Sequence, residues 1–327
     1  MAVSLAAFGT LTLLAILLAP LVGSTPIRLA RVFDRSIPFA DNVDAQIFFV
    51  ARLPRVLAAA LVGAALALAG VVFQALLRNP LASPDTLGVS AGAALGAVLA
   101  ITFNADFTLL GVTAVPLASF AGSIGALIIV YGLSAARRRG TSTLVLLLAG
   151  VTLTALLSAI SAFVRYLADF TETLRTVRWL MGSLDVGAFT PIVIATVPMG
   201  IAITGFAMLP RILDLISMGA ESAAARGVDV TRAERVALVS ASLATGSAVA
   251  LAGPIGFVGI VVPHLVRLLV GADHRVVLPA SALFGASFLI GCDLVARILF
   301  APTEVPVGVV TALIGGPFFL WLLFRHA

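Results

Sequence analysis

Apolar residues run through this chain in long blocks separated by short polar interruptions. Ten blocks stand out, at about 4–24, 56–77, 86–103, 112–136, 142–164, 189–209, 234–252, 255–270, 276–299 and 305–324. About 20 predominantly apolar residues in a helix cross the hydrocarbon core of a bilayer. The pattern therefore predicts an all-α, polytopic membrane helical bundle of about ten transmembrane helices, one domain over 1–327. Gly253 and Pro254 just before the eighth block, with Gly256, Gly259 and Pro263 in it, predict a short or broken helix. Such breaks survive at membrane depth only where protein or a watery cavity surrounds them. The first block, Leu5–Val22, has no basic residue before it, so it reads as a retained span rather than a secretory leader.

Three interruptions are much longer than the others. Residues 25–55 form a loop of mixed charge ending in ARLPR. Residues 165–188 carry Leu167, Phe170, Leu174 and Val177 at three- and four-residue steps, which predicts an amphipathic helix lying on a membrane surface with Trp179 as its anchor. Residues 210–233 are the most polar segment between two apolar blocks. Arg211, Asp214, Glu221, Arg226, Asp229, Arg232, Glu234 and Arg235 lie in or just beyond it. The stretch SMGAESAAAR has helix formers and no proline, and Gly227 is placed to end a helix.

Composition agrees with the membrane reading and removes some functions. Hydrophobic residues make up 61% of 327 and charged residues 11%, against about 25% charged in soluble domains. All 20 basic side chains are Arg, placed mostly singly between apolar runs, so the net charge of +5 does not signal nucleic-acid binding. Without Lys the chain has no phosphate-gripping Lys of the G-x-x-x-x-G-K-[ST] type, which excludes that class of nucleotide hydrolysis. One Cys, Cys292, excludes an internal disulfide, and the three His are scattered. With both termini inside, eleven Arg fall in inner loops and nine in outer ones, and Arg137, Arg138 and Arg139 are the strongest orienting cluster. Residues 210–233 are then cytoplasmic.

The blocks contain almost no mid-span ionisable group; Asp293 and His264 lie near block ends. Ion-coupled carriers place such groups or unwound polar backbone near the midplane. Their scarcity favours a transporter driven from elsewhere, with the charged 210–233 segment as the place to receive the work. On the outer side Arg52, Arg55 and Arg297 present planar forks suited to a partner's carboxylates, or to lipid headgroups. The competing classes are an autonomous ion-coupled carrier and a non-transporting membrane assembly subunit.

Several long motifs stand in order: ARLPRVLAAALVGAALALAG (51–70), QALLRNPLASPDTLGVSAGA (74–93), RWLMGSL (178–184), GPIGFVGIVVPHLVR (253–267) and TEVPVGVVTALIGGPFFLWLL (303–323). With them the chain resembles the permease subunits of type II ATP-binding-cassette importers, the family that takes up iron–siderophores, haem and vitamin B12. The resemblance implies ten spans, a second permease (identical or paralogous), two separate ATPase subunits that carry ATP and Mg, and an extracytoplasmic substrate-binding protein. It implies a bacterial inner-membrane location, with no catalytic residue, metal or cofactor in this chain. An iron–siderophore is the first expectation for cargo, with haem or vitamin B12 as the alternative. The coupling segment maps to about Leu213–Val230. The family pattern resembles L-G-E-E-x-A-x-x-L-G; Gly219, Glu221, Ala223 and Gly227 fit it, whereas Ala220 and Arg226 depart from it. The resemblance also implies docking of the binding protein at Arg52, Arg55 and Arg297, and a pathway lined by the fifth and tenth spans.

Overall fold

The computed structural model describes residues 2–135 and 143–326. The Arg137–Arg139 orienting cluster lies outside the described residues. The chain is a helical bundle in this order: α1 Ala2–Leu18, α2 Leu29–Val32, α3 Val43–Gln46, α4 Leu53–Leu76, α5 Val89–Thr102, α6 Ala114–Ala135, α7 Thr143–Leu167, α8 Phe170–Leu180, α9 Phe189–Ala207, α10 Pro210–Ser217, α11 Ala220–Ala225, α12 Val230–Ala252, α13 Val258–Val270, α14 His274–Ile298 and α15 Val307–His326. Among the described residues, seven helical segments are long and apolar enough to cross a bilayer, and three shorter apolar helices (α5, α13 and the Val307–Leu322 part of α15) complete the ten predicted blocks.

The helices sort into an inner and an outer set. In α4, α12 and α14, 78%, 72% and 67% of the most apolar window is buried by protein, against 17% in α1 and 22% in α7 and α9. A helix apolar all round is buried all round, and α4 is the hub that α12, α13 and α14 pack along. Small residues allow the close approach. A Cβ on Gly63 would lie 2.2 Å from the Gly285 carbonyl oxygen of α14, and one on Gly70 would lie 1.9 Å from the Gly259 carbonyl oxygen of α13. In lipid, where tails are as apolar as leucine, such backbone contact is what drives helices together.

The eighth block is broken as its glycines and prolines predict. α12 ends at Gly253 (φ +70°), Phe257 takes φ +69°, and α13 has only 13 residues with Pro263 inside. At about 1.5 Å per residue, α13 spans about 20 Å, short of the roughly 30 Å core. The irregular backbone is lodged in protein: Ser183 N–H donates to the Ala252 carbonyl at 2.8 Å, and Gly253 lies against the Trp179 carbonyl.

Two local features differ from the sequence reading. Residues 43–76 form one helical path, so helix begins within the stretch expected to be loop up to Arg55. Ile47–Arg52 is a π-helix; its wider turn accommodates Pro54, which has no N–H to give and whose ring crowds an α-helical carbonyl four residues back. Residues Thr108–Leu109 pair antiparallel with Val112–Thr113, and Leu110 and Gly111 both take positive φ, the two-residue hairpin turn that matches strand twist. The predicted amphipathic helix is present as α8, with Phe170 and Leu174 exposed.

Candidate functional site

Polar chemistry gathers at the two ends of the bundle. At one end α10 and α11 project between α9 and α12. Pro210 supplies the first-turn residue whose missing N–H costs nothing there. Gly219 holds φ +123° and turns the chain from α10 into α11, a conformation open essentially to glycine. α11 closes with the Gly227 N–H on the Ala224 carbonyl (2.9 Å) and the Val228 N–H on the Ala223 carbonyl (3.1 Å), the paired bonds of a Schellman stop. Asp229 then caps α12 through the Arg232 N–H at 3.0 Å.

This helix pair has a small core of its own, Ile216, Ala223 and Ala233 with Ile212, Leu215, Val228 and Val230 against it. The four coupling candidates therefore divide by role. Gly219 and Gly227 shape the turns, Ala223 is buried in the small core, and Glu221 is exposed in the first turn of α11, where a carboxylate suits the helix dipole. Met218 is 59% exposed beside it; no charge or spacing marked it in the sequence. Arg226, where the family pattern has Leu, reaches Ser222 Oγ at 2.6 Å along the exposed face. Nearby, the Arg275 side chain and backbone N–H hold the Asp273 carboxyl below the usual carboxylate range.

At the opposite end the three arginines expected to face a partner come together, with exposures of only 6% (Arg52), 9% (Arg55) and 4% (Arg297). Arg55 Nε donates to Asp293 Oδ1 at 2.8 Å and its Nη1 to Glu304 Oε2 at 2.6 Å. Arg297 Nε lies 3.0 Å from Asp293 Oδ2 as an ion pair without hydrogen-bond alignment. Arg52 donates to the carbonyls of Pro20 (3.2 Å), Leu21 (3.3 Å) and Thr25. Asp293 itself is fully buried. The exposed forks of the sequence reading are thus, in this chain, a clamp that joins the segment after α1, the start of α4, α14 and the segment before α15. A partner's carboxylate reaches these guanidiniums only by displacing an acceptor already there; Glu304, with its side chain 47% exposed, is the accessible carboxylate among them.

Towards the α10–α11 end, Arg267 in the last turn of α13 donates to Gln74 Oε1 near the end of α4, and Gln74 Nε2 donates to the Gly259 carbonyl at 3.2 Å. A shallow apolar cavity of about 400 Å³ lies among Leu180, Met181, Pro254, Val309, Ala312 and Leu313, where α8, the α12–α13 break and α15 meet.

The described residues thus form a polytopic bundle with a broken span and, at one end, a helix pair with an exposed polar face. The FecCD transport family matches residues 11–325, and the chain belongs to it. It is 46% identical over 281 residues to the cobalamin import system permease protein BtuC of Halobacterium salinarum, covering 83% of this chain and 72% of that one. It is 40% identical over 324 residues to the hemin transport system permease protein HmuU of Yersinia pestis, covering 97% and 95%. A solved structure described as an inward-facing conformation of a metal-chelate type ABC transporter superposes with a TM-score of 0.85 at 34% identity, covering 99% of this chain and 100% of that one. The chain is accordingly a multi-pass membrane permease of the importer family that its motifs resemble.

Proposed function

We propose that this chain is the membrane permease of an ATP-driven importer that passes a metal chelate inward from an extracytoplasmic binding protein. The similar proteins are named for cobalamin, hemin, Fe(3+) dicitrate and iron chelatin transport. Their shared cargo chemistry is a metal held inside an organic ligand. An iron–siderophore is the first reading; haem or a corrinoid is the second, favoured by the names of the relatives just described.

The observation that carries the proposal is the α10–α11 pair. It is a compact, glycine-shaped unit, apolar inside and polar outside, standing at one end of a bundle that has no energy source of its own. In this reading the pair of each permease seats in a groove on one of two separate ATPase subunits, which hold ATP and Mg, and that end faces the cytoplasm along with both termini. Two permeases enclose the pathway, with α7 and α15 towards it. ATPase closure moves α10–α11, and the bundle exchanges between outward- and inward-open states. The arginine end receives the binding protein, with Arg55 reached by exchange of Glu304 for a partner carboxylate. The membrane is the bacterial inner membrane.

Labelling at residue 221 tests the docking. Cys292 is buried, so a Glu221→Cys chain carries one accessible thiol. A membrane-impermeant maleimide should label it only from the cytoplasmic side, and bound ATPase should protect it. Labelling from the outside, or no protection by the ATPase, would overturn the assignment.

A further inference from the structure

Most charged side chains of residues 210–233 point away from the bundle. Asp214 does not. It sits on α10, with its side chain 35% exposed, and one of its oxygens takes two donors from the same distant residue. Asp214 Oδ1 accepts the backbone N–H of His274 at 3.1 Å and the His274 ring at Nδ1 at 2.6 Å. His274 is the first residue of α14 and is itself buried, 5% exposed. The two residues lie 60 positions apart in sequence.

Capping alone does not account for this contact. The start of α14 already has a cap, because Asp273 Oδ1 accepts the Arg275 N–H at 2.9 Å. What Asp214 adds is a connection between elements. α10 leans on both α4 and α14, and Leu213 beside Asp214 is fully buried in the main core. Apolar contact of that kind is non-directional and resists sliding weakly. A short, charge-assisted bond to a buried ring and to a helix terminus fixes angle as well as distance. α14 in turn lies against α4 at Gly63 and Gly285, so what moves its first turn moves a packed helix pair.

We propose that the Asp214–His274 bond is the link through which displacement of α10 is delivered to α14, making both side chains positioning residues for transport. The proposal rests on the reading that residues 210–233 dock an ATPase. The link converts a push on a short peripheral helix into movement of the central α4–α14 pair. Without it α10 still sits on Leu213 and the ATPase still binds, but the stroke is dissipated at the bundle surface.

The test uses the complete complex, the permease with its ATPase and binding protein, in proteoliposomes. Radiolabelled cyanocobalamin, haemin and a ferric hydroxamate siderophore are offered in parallel, and ATP hydrolysis and uptake are measured per assembled complex. Asp214→Ala and His274→Ala should each raise the ATP consumed per molecule imported by about fivefold or more, the lower end of typical inter-site coupling. The double variant should be no worse than either single one, because both remove the same bond. His274→Asn, whose amide N–H lies near the position of Nδ1, should recover a large part of the ratio. A merely structural role would lower the yield of complex and leave the ratio per complex unchanged. If the wild-type complex is coupled and the alanine variants are equally coupled, the link is refuted and the docking reading stands. If the wild-type complex shows no ATP-driven uptake of any probe, both fall together.

Discussion

Removing the Asp293 carboxylate should destabilise the bundle strongly, because it leaves a buried arginine without its counter-charge. Asp293 is fully buried between Arg55 and Arg297. In Asp293→Ala, Arg55 keeps Glu304 at 2.6 Å. Arg297 keeps only the carbonyls of Val22 at 3.4 Å and Ala19 at 3.5 Å, both long for a charged donor. An uncompensated buried charge of this kind costs about 3–5 kcal/mol. For a chain of this size that lowers the melting midpoint by something on the order of 10 °C. The assay is thermal unfolding of the detergent-solubilised protein followed by near-ultraviolet circular dichroism. Removing charge and partner together, as Asp293→Leu with Arg297→Met, should restore most of the loss, because apolar replacements of buried ion pairs are often close to neutral. An Asp293→Ala midpoint within about 1 °C of wild type, or a double variant no better than the single, would refute the argument that this carboxylate holds the arginine end together.

Gly70→Val should sharply reduce the yield of folded protein, since its Cβ would stand 1.9 Å from the Gly259 backbone oxygen; the amount recovered as a monodisperse species on size exclusion checks it. Gly219→Ala meets no neighbouring atom, so its whole effect is the strain of φ +123°, about 1–3 kcal/mol; it should leave membrane insertion intact and lower ATP-driven uptake, and unchanged uptake would argue against a role for this turn. Glu304→Gln should tighten association with the binding protein by about two- to fivefold while leaving the melting midpoint almost unmoved, as expected for releasing a half-exposed pair; unchanged or weaker binding by surface plasmon resonance would exclude the exchange at Arg55.

The ten blocks were legible because a bilayer forces apolar continuity on each span, and the broken eighth span because Gly253, Pro254 and Gly256 cannot continue a helix. Of the α10–α11 turn points Gly227 was legible as a helix stop, whereas Gly219 lay inside the stretch SMGAESAAAR expected to be one helix, which the structure breaks there because Gly219 takes φ +123°. The partners of Arg55 were not legible. Asp293 and Glu304 lie 238 and 249 residues away, and hydropathy carries no information on which helices meet. Arg52, Arg55 and Arg297 therefore read as three separate exposed forks, whereas the fold makes them one buried cluster. Asp214 and His274 escaped for that reason too: each alone is an ordinary polar residue, one within α10 and one at the start of α14. The π-turn before Pro54 and the small hairpin at 108–113 were hidden because both fall in interruptions between the apolar blocks, where hydropathy says that a span has ended but not what local structure takes its place.

The account depends on work being done on this chain by another protein. Proteoliposomes containing the purified permease, with and without its ATPase subunits, supplied with the binding protein and a radiolabelled metal chelate outside and ATP inside, measure that dependence directly. The account predicts accumulation only when both the ATPase and hydrolysable ATP are present. Accumulation against a gradient by the permease alone, driven by a proton or sodium gradient, would contradict it.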